Sequence, residues 1–289
     1  MNNQNKKQQD HLEKRQLEIE CPTSHKIKKN PPEVKDPKRI SYSELKNWVE
    51  CPYRHKLIHK DKLPYFEGNE YTAFGTAIHK VCELLMIEED ADFEKEFIKE
   101  LEKLKKDNYP INENMIEDMF SQGRKISKVV LPEVKKYFKD FTVFSIEEQI
   151  LEEIKEFDSN TRYFKGFIDL VIKTNDGKYH VIDWKTCSWG WDSKKKNDKI
   201  INYQLSFYKN YFSKKHDIDP DDIFTYFVLL KRTSKKNIVE VVPVTNGKRK
   251  INNSLNLLEK AVINIDRENY IKNRLSCKYC KFYRTENCT

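Results

Sequence analysis

The chain has 289 residues, a formal net charge of +8, and charged side chains at 35% of its positions. This length suffices for one elaborated domain or two small ones, and the modest basic excess is compatible with a polyanionic partner. No apolar run reaches the roughly 18–20 residues that a membrane span requires, and the first residues do not resemble a signal peptide. We therefore expect a cytoplasmic protein with no membrane partner.

A polar tail is predicted over residues 1–38, where large apolar side chains are few and the composition favours disorder. One ordered domain is predicted over residues 39–289. Its first helix follows Ser41 or Ser43, either of which can cap a helix that carries Leu45 on its apolar side.

A second helix is predicted over residues 74–87, because apolar side chains recur there at helical spacing. His79 and Glu83 are four positions apart, so both project from one face of this helix. The charged segment 88–140 has a helical pattern and is predicted to be an insertion beside the main sheet, without chemistry of its own.

A strand is predicted within residues 141–156, ahead of the central feature of the sequence. It carries three acids, Glu147, Glu148 and Glu153. One of these carboxylates could approach a metal ion, and the sequence does not decide which.

Residues 165–185, KGFIDLVIKTNDGKYHVIDWK, are predicted to form a β-hairpin. Two apolar runs flank the Asn-Asp-Gly turn at 175–177, where glycine tolerates positive φ. Asp169 interrupts the first strand and Asp183 the second. Asp183 and Lys185 should share one face, roughly 6–7 Å apart along the strand. Two carboxylates and an amine are costly to bury unless they pair or hold a metal.

The loop 187–199 follows the hairpin and combines Trp189 and Trp191 with several lysines. It could stack on or hold a strand of DNA, or it could be a flexible surface loop. The remaining predicted elements are a helix at 200–213, strands at 223–231 and 238–244, and a last helix at 255–270.

Five short motifs occur in a fixed order: Ser-x-Ser followed by Cys-Pro, Gly-Thr-x-x-His, Gly-x-x-Asp, Asp-x-Lys-Thr, and Gln-Leu-x-x-Tyr. Each is weak alone, but their order and spacing make the set specific. The set resembles the PD-(D/E)XK nuclease superfamily, and within it the RecB-type branch, over roughly residues 40–288. The resemblance implies an α/β fold with a restriction-endonuclease-like core, a mixed central sheet flanked by helices.

The resemblance also implies roles for individual residues. Asp169, Asp183 and Lys185 would be catalytic, and the two carboxylates would be ligands of Mg²⁺ or Mn²⁺. His79 and the backbone carbonyl of Trp184 would complete the metal shell.

Lys185 would orient or activate the attacking water, or neutralise phosphate charge, and the sequence leaves these roles open. Gln204 and Tyr208 lie four positions apart on one helix face, and such a pair lines the substrate channel in the enzymes that this chain resembles. The alternative for this pair is an ordinary amphipathic helix with aromatic packing.

Seven cysteines, an odd number, argue against a disulfide framework and favour reduced thiols or a metal site. Cys51, together with Cys277, Cys280 and Cys288 of the C-terminal region 271–289, is similar to the ligand set of iron–sulfur RecB-type nucleases. That similarity implies a 4Fe-4S cluster. Structural zinc is an alternative because four thiolates suit either group, and unpaired reduced thiols are a third reading.

The function implied is a metal-dependent deoxyribonuclease, an exonuclease of recombination, repair or phage DNA metabolism that acts on single- or double-stranded DNA ends. A helicase or recombination protein is the expected protein partner, because the chain has no Gly-x-x-x-x-Gly-Lys-Ser/Thr motif. The alternatives are a non-catalytic DNA clamp or helicase-partner subunit, and a sequence-specific endonuclease. The intact acids and lysine favour catalysis over a clamp, and no segment indicates a recognition domain.

Overall fold

The computed structural model describes residues 38–65, 68–107, 109–154 and 162–289. The polar tail predicted over residues 1–38 lies outside the described residues except for Lys38, which begins the first strand. Within the described ranges, no helix is both long enough and apolar enough to cross a membrane.

Strands of the described residues form one mixed six-stranded sheet. They are β1 (Lys38–Ser41), β2 (Phe141–Glu153), β3 (Arg162–Thr174), β4 (Tyr179–Cys187), β5 (Ile223–Lys231) and β6 (Val239–Pro243). β1 is parallel to β3, whereas β2 and β4 are antiparallel to it. β5 continues the sheet parallel to β4, and β6 is antiparallel to β5.

The sheet forks at β3. Because β2 pairs along almost the whole of β3, β1 and β4 must share its other edge. β1 pairs there with residues 162–165 and β4 with residues 170–173. No described strand pairs on that edge with the intervening segment 166–169, which ends in Asp169. The fork therefore opens a gap in the sheet at the first acid of the hairpin.

Helices cover both faces of the sheet. They are α1 (Tyr42–Glu50), α2 (Pro52–His55), α3 (Glu70–Met86), α4 (Phe93–Lys106), α5 (Glu113–Phe138), α6 (Ser193–Lys196), α7 (Lys199–His216) and α8 (Lys248–Asp266). Shorter turns are π-helical at Lys56–Lys60 and 3₁₀ at Pro220–Asp222 and Arg274–Tyr279. The segment predicted to be a helical insertion, 88–140, contains α4 and α5.

The two faces of the hairpin pack into two separate cores. Ile182 and Trp184 are buried beneath α3, α4 and α5. Val181 is buried on the opposite face, beneath α7 and α8. This alternation follows from the two-residue period of a strand. The α/β fold with a mixed central sheet flanked by helices confirms the predicted fold class.

Two helices begin earlier than their sequence patterns predict. α3 begins at Glu70 rather than at residue 74, because the side chains of Asn69 and Thr72 each accept a hydrogen bond from the other's backbone N–H. α8 begins at Lys248 rather than at residue 255. Its first two turns bury Ile251 within a mostly polar stretch, so the apolar stripe becomes visible only later in the sequence.

Candidate active site

The fork in the sheet brings Asp169 against β4. Ladder pairing between β3 and β4 ends at Leu170 and Ile182. Two residues beyond Ile182, the Trp184 N–H donates to Asp169 Oδ2 at 2.7 Å instead of to a backbone carbonyl of β3. This hydrogen bond holds the first acid of the hairpin beside the Asp-x-Lys segment of the second strand.

Asp183 and Lys185 share one face of β4. Asp183 Oδ2 lies 2.6 Å from Lys185 Nζ, and the Asp183 side chain is 2% exposed while that of Lys185 is 29% exposed. Gln204 Nε2, on α7, donates to Asp183 Oδ1 at 2.8 Å and to the Tyr208 hydroxyl at 3.1 Å. The structure thus brings the predicted glutamine to the carboxylate of Asp183 and the predicted tyrosine to that glutamine.

Tyr208 also lies against the first strand of the hairpin at Gly166. A Cβ atom at Gly166 would stand only 2.9 Å from Tyr208 Cε1 and 3.3 Å from Phe164 Cε1. A side chain at this position would push the Tyr208 ring away from β3. The close packing of Tyr208 therefore explains why a glycine fits three positions before Asp169.

α3 brings His79 to the carboxylate of Asp169, with 3.7 Å between His79 Nδ1 and Asp169 Oδ2. Burial, together with the positive charge of Lys185, lowers the pKa of His79 to about 4. The imidazole is therefore neutral near pH 7, and a neutral imidazole has the lone pair that a metal ligand requires.

The two aspartates are held in an environment that opposes their ionisation. Burial and the charge of Asp183 raise the pKa of Asp169, against the opposing effects of Lys185 and the Trp184 N–H. Burial likewise raises the pKa of Asp183, although Lys185 counteracts it. One ammonium group does not compensate the buried carboxylate of Asp183 and the half-buried one of Asp169, so an additional cation would stabilise their ionised forms.

Two further acids, Glu83 on α3 and Glu147 on β2, extend this cluster. Burial, followed by the charge of Glu83 and a hydrogen bond with it, raises the pKa of Glu147 to about 7. Glu83 is itself buried, with its carboxylate 3.0 Å from Lys80 Nζ. The ladder neighbours of Glu147 pair with the residues on either side of Asp169.

Glu147 is the β2 acid that faces the aspartates. The carboxylate of Glu148 accepts instead from Lys215 Nζ at 2.8 Å and contacts His216 at the end of α7. Glu153 is the last residue of β2 and pairs with Tyr163, six positions before Asp169 on β3. Glu147 has a φ of 47°, an uncommon conformation for a residue other than glycine, and strand alternation alone does not reveal it. Glu83 was visible from its four-residue spacing to His79, but no motif assigned it a role.

The donor atoms of this cluster fit a hard divalent cation. In the described part of the chain, no three His, Cys, Asp or Glu side chains stand close enough to coordinate one ion as they are placed. However, Asp183 Oδ2 is fully buried and, apart from the Lys185 ammonium, has no hydrogen-bond partner among the described residues. Carboxylate oxygens with one neutral imidazole are a ligand set for Mg²⁺ or Mn²⁺.

The four cysteines selected from the sequence line one pocket. Cys51 reaches it from the end of α1, and Cys277, Cys280 and Cys288 reach it from the C-terminal segment. None of the four is in a disulfide. Four free thiols around one pocket are chemically suited to a thiolate-bound metal group, although their sulfur atoms are not arranged as a metal shell.

Hydrogen bonds join the two segments that carry these cysteines. We call this contact the terminal seam, formed by residues 50–53 and 271–288. The donor and acceptor pairs are Tyr53 N to Ile271 O at 3.2 Å, the Tyr53 hydroxyl to Asn287 O at 3.2 Å, Asn273 Nδ2 to Glu50 O at 2.9 Å, and Ser276 Oγ to Glu50 O at 2.5 Å. The pocket therefore connects parts of the chain more than two hundred residues apart.

Comparison with known families identifies the superfamily of the chain. The model of the PD-(D/E)XK nuclease superfamily matches residues 39–285. The chain belongs to this superfamily. The matched range includes β3 and β4, which carry Asp169, Asp183 and Lys185. No curated protein sequence matches the chain.

Two solved structures are similar to this PD-(D/E)XK protein. A candidate exonuclease from Eubacterium rectale is 10% identical with a TM-score of 0.54, and the match covers 84% of this chain and 86% of that one. The protein SSO0001 is 16% identical with a TM-score of 0.42, and the match covers 96% of this chain and 90% of that one. At 10% identity, the likeness to the Eubacterium rectale protein supports the fold alone. The TM-score of the match to SSO0001 is too low to support an argument.

The loop after the hairpin of this PD-(D/E)XK fold separates its two tryptophans. Trp191 is buried, with its ring centroid 5.1 Å from that of Phe227. Trp189 is 77% exposed. The sequence placed both residues in one aromatic loop, whereas the structure shows that only Trp189 offers its ring to solvent.

Proposed function

We propose that this protein is a metal-dependent deoxyribonuclease of the RecB-type branch that acts as an exonuclease. The observation that carries the proposal is the placement of Asp169, held by the Trp184 N–H, beside the Asp183–Lys185 pair at the fork of a PD-(D/E)XK sheet. A buried and a half-buried carboxylate lack sufficient positive charge there, and one lysine extends from Asp183 toward solvent. This arrangement suits metal-assisted attack of water on a phosphodiester.

Asp169, Asp183, His79 and the backbone carbonyl of Trp184 would hold the ion, Mg²⁺ or Mn²⁺. When bound, it would neutralise phosphate charge and lower the pKa of a water molecule. Burial keeps His79 neutral and therefore able to donate its lone pair. The Trp184 N–H fixes the orientation of the Asp169 carboxylate, so this ligand is preorganised.

Lys185 would act on the substrate side of the site. Its ammonium lies against Asp183 and its side chain is partly exposed, so it can contact the scissile phosphate or orient the attacking water. Gln204 and Tyr208 would position the nucleic acid strand, since Gln204 joins the Tyr208 hydroxyl to the Asp183 carboxylate by hydrogen bonds to both. Gly166 supports this role because it lets Tyr208 approach β3.

We further propose that the substrate is a DNA end in recombination, repair or phage DNA metabolism within the cytoplasm. A helicase or recombination protein would supply unwinding, because the sequence has no nucleotide-binding loop of its own. The exonuclease assignment follows from the resemblance of the motif set to RecB-type nucleases, and the fold is similar to that of the candidate exonuclease from Eubacterium rectale.

The test is incubation of the protein with end-labelled linear DNA and with closed circular DNA, in Mg²⁺, in Mn²⁺ and in EDTA. Degradation of the linear DNA alone, abolished by EDTA, is the expected result. Nicking of the circles would indicate an endonuclease. Binding of DNA without cleavage under every metal condition would contradict the proposal and favour a DNA clamp.

We also propose that Cys51, Cys277, Cys280 and Cys288 bind a 4Fe-4S cluster, with structural Zn²⁺ as the alternative. The support is that all four free thiols line one pocket at the terminal seam. Protein purified without oxygen should be brown and should show a broad absorption band at roughly 400 nm. Elemental analysis separates iron from zinc, and colourless protein with neither element would contradict both assignments.

A further inference from the structure

Trp189 is a large aromatic side chain left open to solvent beside the candidate active site. It follows Lys185 by four residues, which places it within roughly 13 Å along the strand direction. It is 77% exposed, although no residue of β4, which it follows, is exposed. The Trp189 ring is therefore available to a ligand at the end of this strand.

The backbone that presents Trp189 is held by neighbouring segments. Thr233 donates from its N–H and from its hydroxyl to Ser188 O, at 3.1 and 2.8 Å. After Trp189, Gly190 adopts a φ of +115°, and a Cβ atom there would lie 3.1 Å from Lys231 Cδ. These contacts fix the loop on both sides of Trp189, so its outward direction is built into the fold.

Arg232 connects this loop to a second exposed ring. Its guanidinium donates to Ser188 Oγ at 3.2 Å and lies 4.7 Å from the ring centroid of Tyr71 on α3. Tyr71 is 49% exposed. Arg232 thus presents a cation on the exposed ring of Tyr71, and its hydrogen bond to Ser188 places that cation next to the residue that precedes Trp189.

The surrounding segments are strongly basic. Residues 188–199 and 231–240 contain eight basic and three acidic side chains. Two of the acids, Asp192 and Asp198, cap helices, and the third, Glu240, pairs with Lys196 and Lys231. Exposed cations remain at Lys194, Lys195, Lys199, Lys235 and Lys236. The excess of positive charge favours a polyanion at this edge.

We propose that the Trp189 surface, formed by Tyr71, Ser188, Trp189, Arg232, Lys235 and Lys236, binds one unpaired nucleic acid strand by stacking a base on the Trp189 ring. This inference rests on the proposed function and adds that the substrate strand is single-stranded where it passes the end of β4. Inside a duplex both faces of a base are stacked on neighbouring pairs, so an indole can stack on a base along the strand only where that strand is unpaired. The lysines would hold the phosphates of the same strand.

The experiment measures binding in EDTA, where no cleavage occurs. A labelled single strand, an abasic strand of equal length that keeps the phosphates, and a blunt duplex are titrated with wild-type protein, Trp189→Ala and Trp189→Phe. The wild type should bind the base-bearing strand about 5- to 100-fold more tightly than the abasic one, which corresponds to stacking of one base. Trp189→Ala should lose most of this ratio, and Trp189→Phe should keep part of it.

A double variant, Lys235→Ala with Lys236→Ala, should weaken both single strands alike and reduce the salt dependence of binding, because it removes phosphate contacts only. Phe224→Ala is the matched control. Phe224 is 44% exposed near the start of β5, at the opposite end of the strand that precedes Arg232. It should change none of the binding ratios.

An unchanged ratio of base-bearing to abasic affinity in Trp189→Ala would overturn the inference, as would equal dependence of duplex binding on Trp189. Cleavage in Mg²⁺ is measured separately on the wild type. If the wild type cleaves DNA but Trp189→Ala keeps the ratio of base-bearing to abasic affinity, only the stacking surface is refuted. Loss of the ratio without any cleavage by the wild type would refute the nuclease assignment instead, and absence of both binding and cleavage would refute both.

Discussion

At the residue scale, Asp183 links the chemistry of the site to its support. One carboxylate oxygen accepts from Gln204 and the other faces Lys185, while burial raises the pKa of the group. A carboxylate kept in such surroundings costs folding free energy unless a cation compensates it. The position is therefore better suited to catalysis than to stability.

We predict that Asp183→Asn and Lys185→Ala each reduce DNA hydrolysis by roughly 10³-fold or more, because each removes a group of a cooperating catalytic set. Asp183→Asn should also lose the rise in melting temperature that Mg²⁺ gives the wild type. DNA binding by Asp183→Asn in EDTA should persist or become tighter, because this variant lacks one negative charge near the phosphate. The readouts are initial cleavage rates, thermal melts and anisotropy titrations.

Lys178→Ala is the control for these variants. Lys178 lies beside the turn of the same hairpin and pairs with Asp222 at the surface. Its loss should leave cleavage within about twofold, because surface ion pairs contribute little. Near-wild-type cleavage in Asp183→Asn or Lys185→Ala would show that the site lies elsewhere.

His79→Ala should impair activity more in Mn²⁺ than in Mg²⁺. Imidazole is a better ligand for Mn²⁺ than for Mg²⁺, which prefers oxygen. The measurement is the cleavage rate as a function of the concentration of each metal. Equal losses with both metals would mean that His79 supports the Asp169 carboxylate without binding the ion.

At the element scale, Glu148 connects β2 to the end of α7. Burial alone would raise the pKa of Glu148, but hydrogen bonds from His216, Lys215 and Ser145 outweigh it and lower that pKa from 4.5 to about 2. A carboxyl group whose pKa is lowered by folding stabilises the protein above its unfolded pKa and loses this contribution as pH falls.

We therefore predict that the stability gained from Glu148 is complete above about pH 5 and declines between pH 4.5 and 2. Glu148→Gln should reduce the free energy of unfolding at pH 7 by about 1–2 kcal/mol, a value discounted because Lys215 and His216 are partly exposed. The difference from the wild type should shrink toward pH 2 in urea melts. A difference that is constant with pH would contradict the ion-pair explanation.

The elements that local patterns specify were predicted well, and those that depend on distant pairing were not. The hairpin followed from two apolar runs on either side of an Asn-Asp-Gly turn, and β3 and β4 were observed there. The fork was not predicted, because it arises when β1 pairs in parallel with residues 162–165, more than a hundred positions away. Nothing local in the sequence of β3 records which strand shares its edge.

The candidate site was predictable where a motif names a residue. Asp169, Asp183, Lys185, His79, Gln204 and Tyr208 were selected in this way, and the contacts among them are observed. Glu147 could not be distinguished from its neighbours on β2. Its direction depends on a positive φ and on a register shift earlier in β2, which are properties of the folded strand pair.

At the scale of the whole molecule, the cysteine pocket is lined by two segments that are far apart in the sequence. A metal group shared by Cys51 and the three C-terminal cysteines would close a loop of more than two hundred residues. Such closure removes chain entropy from the unfolded state and therefore stabilises the folded one.

Cys51→Ala should thus lose the bound metal and lower the melting temperature by at least about 5 °C. Cys187→Ala is the control, because Cys187 is a free and partly buried thiol outside the pocket. Absorbance, metal content and thermal melts are compared on anaerobically purified protein. Retention of both metal and stability in Cys51→Ala would remove this residue from the ligand set.

The terminal seam also determines how the molecule responds to mechanical force. If the chain were pulled from a residue just before Glu50 and from one after Asn287, the tension would reach the few hydrogen bonds of the seam before it reached the sheet. In the metal-free protein only a handful of contacts would resist, whereas β3 and β4 lie in the interior of the sheet and are shielded from that pull. A metal group bound by Cys51 and the C-terminal cysteines would add thiolate bonds across the seam. We expect a stretched metal-free molecule to open first at the seam, releasing the cysteine segment while the fork and its carboxylates stay assembled.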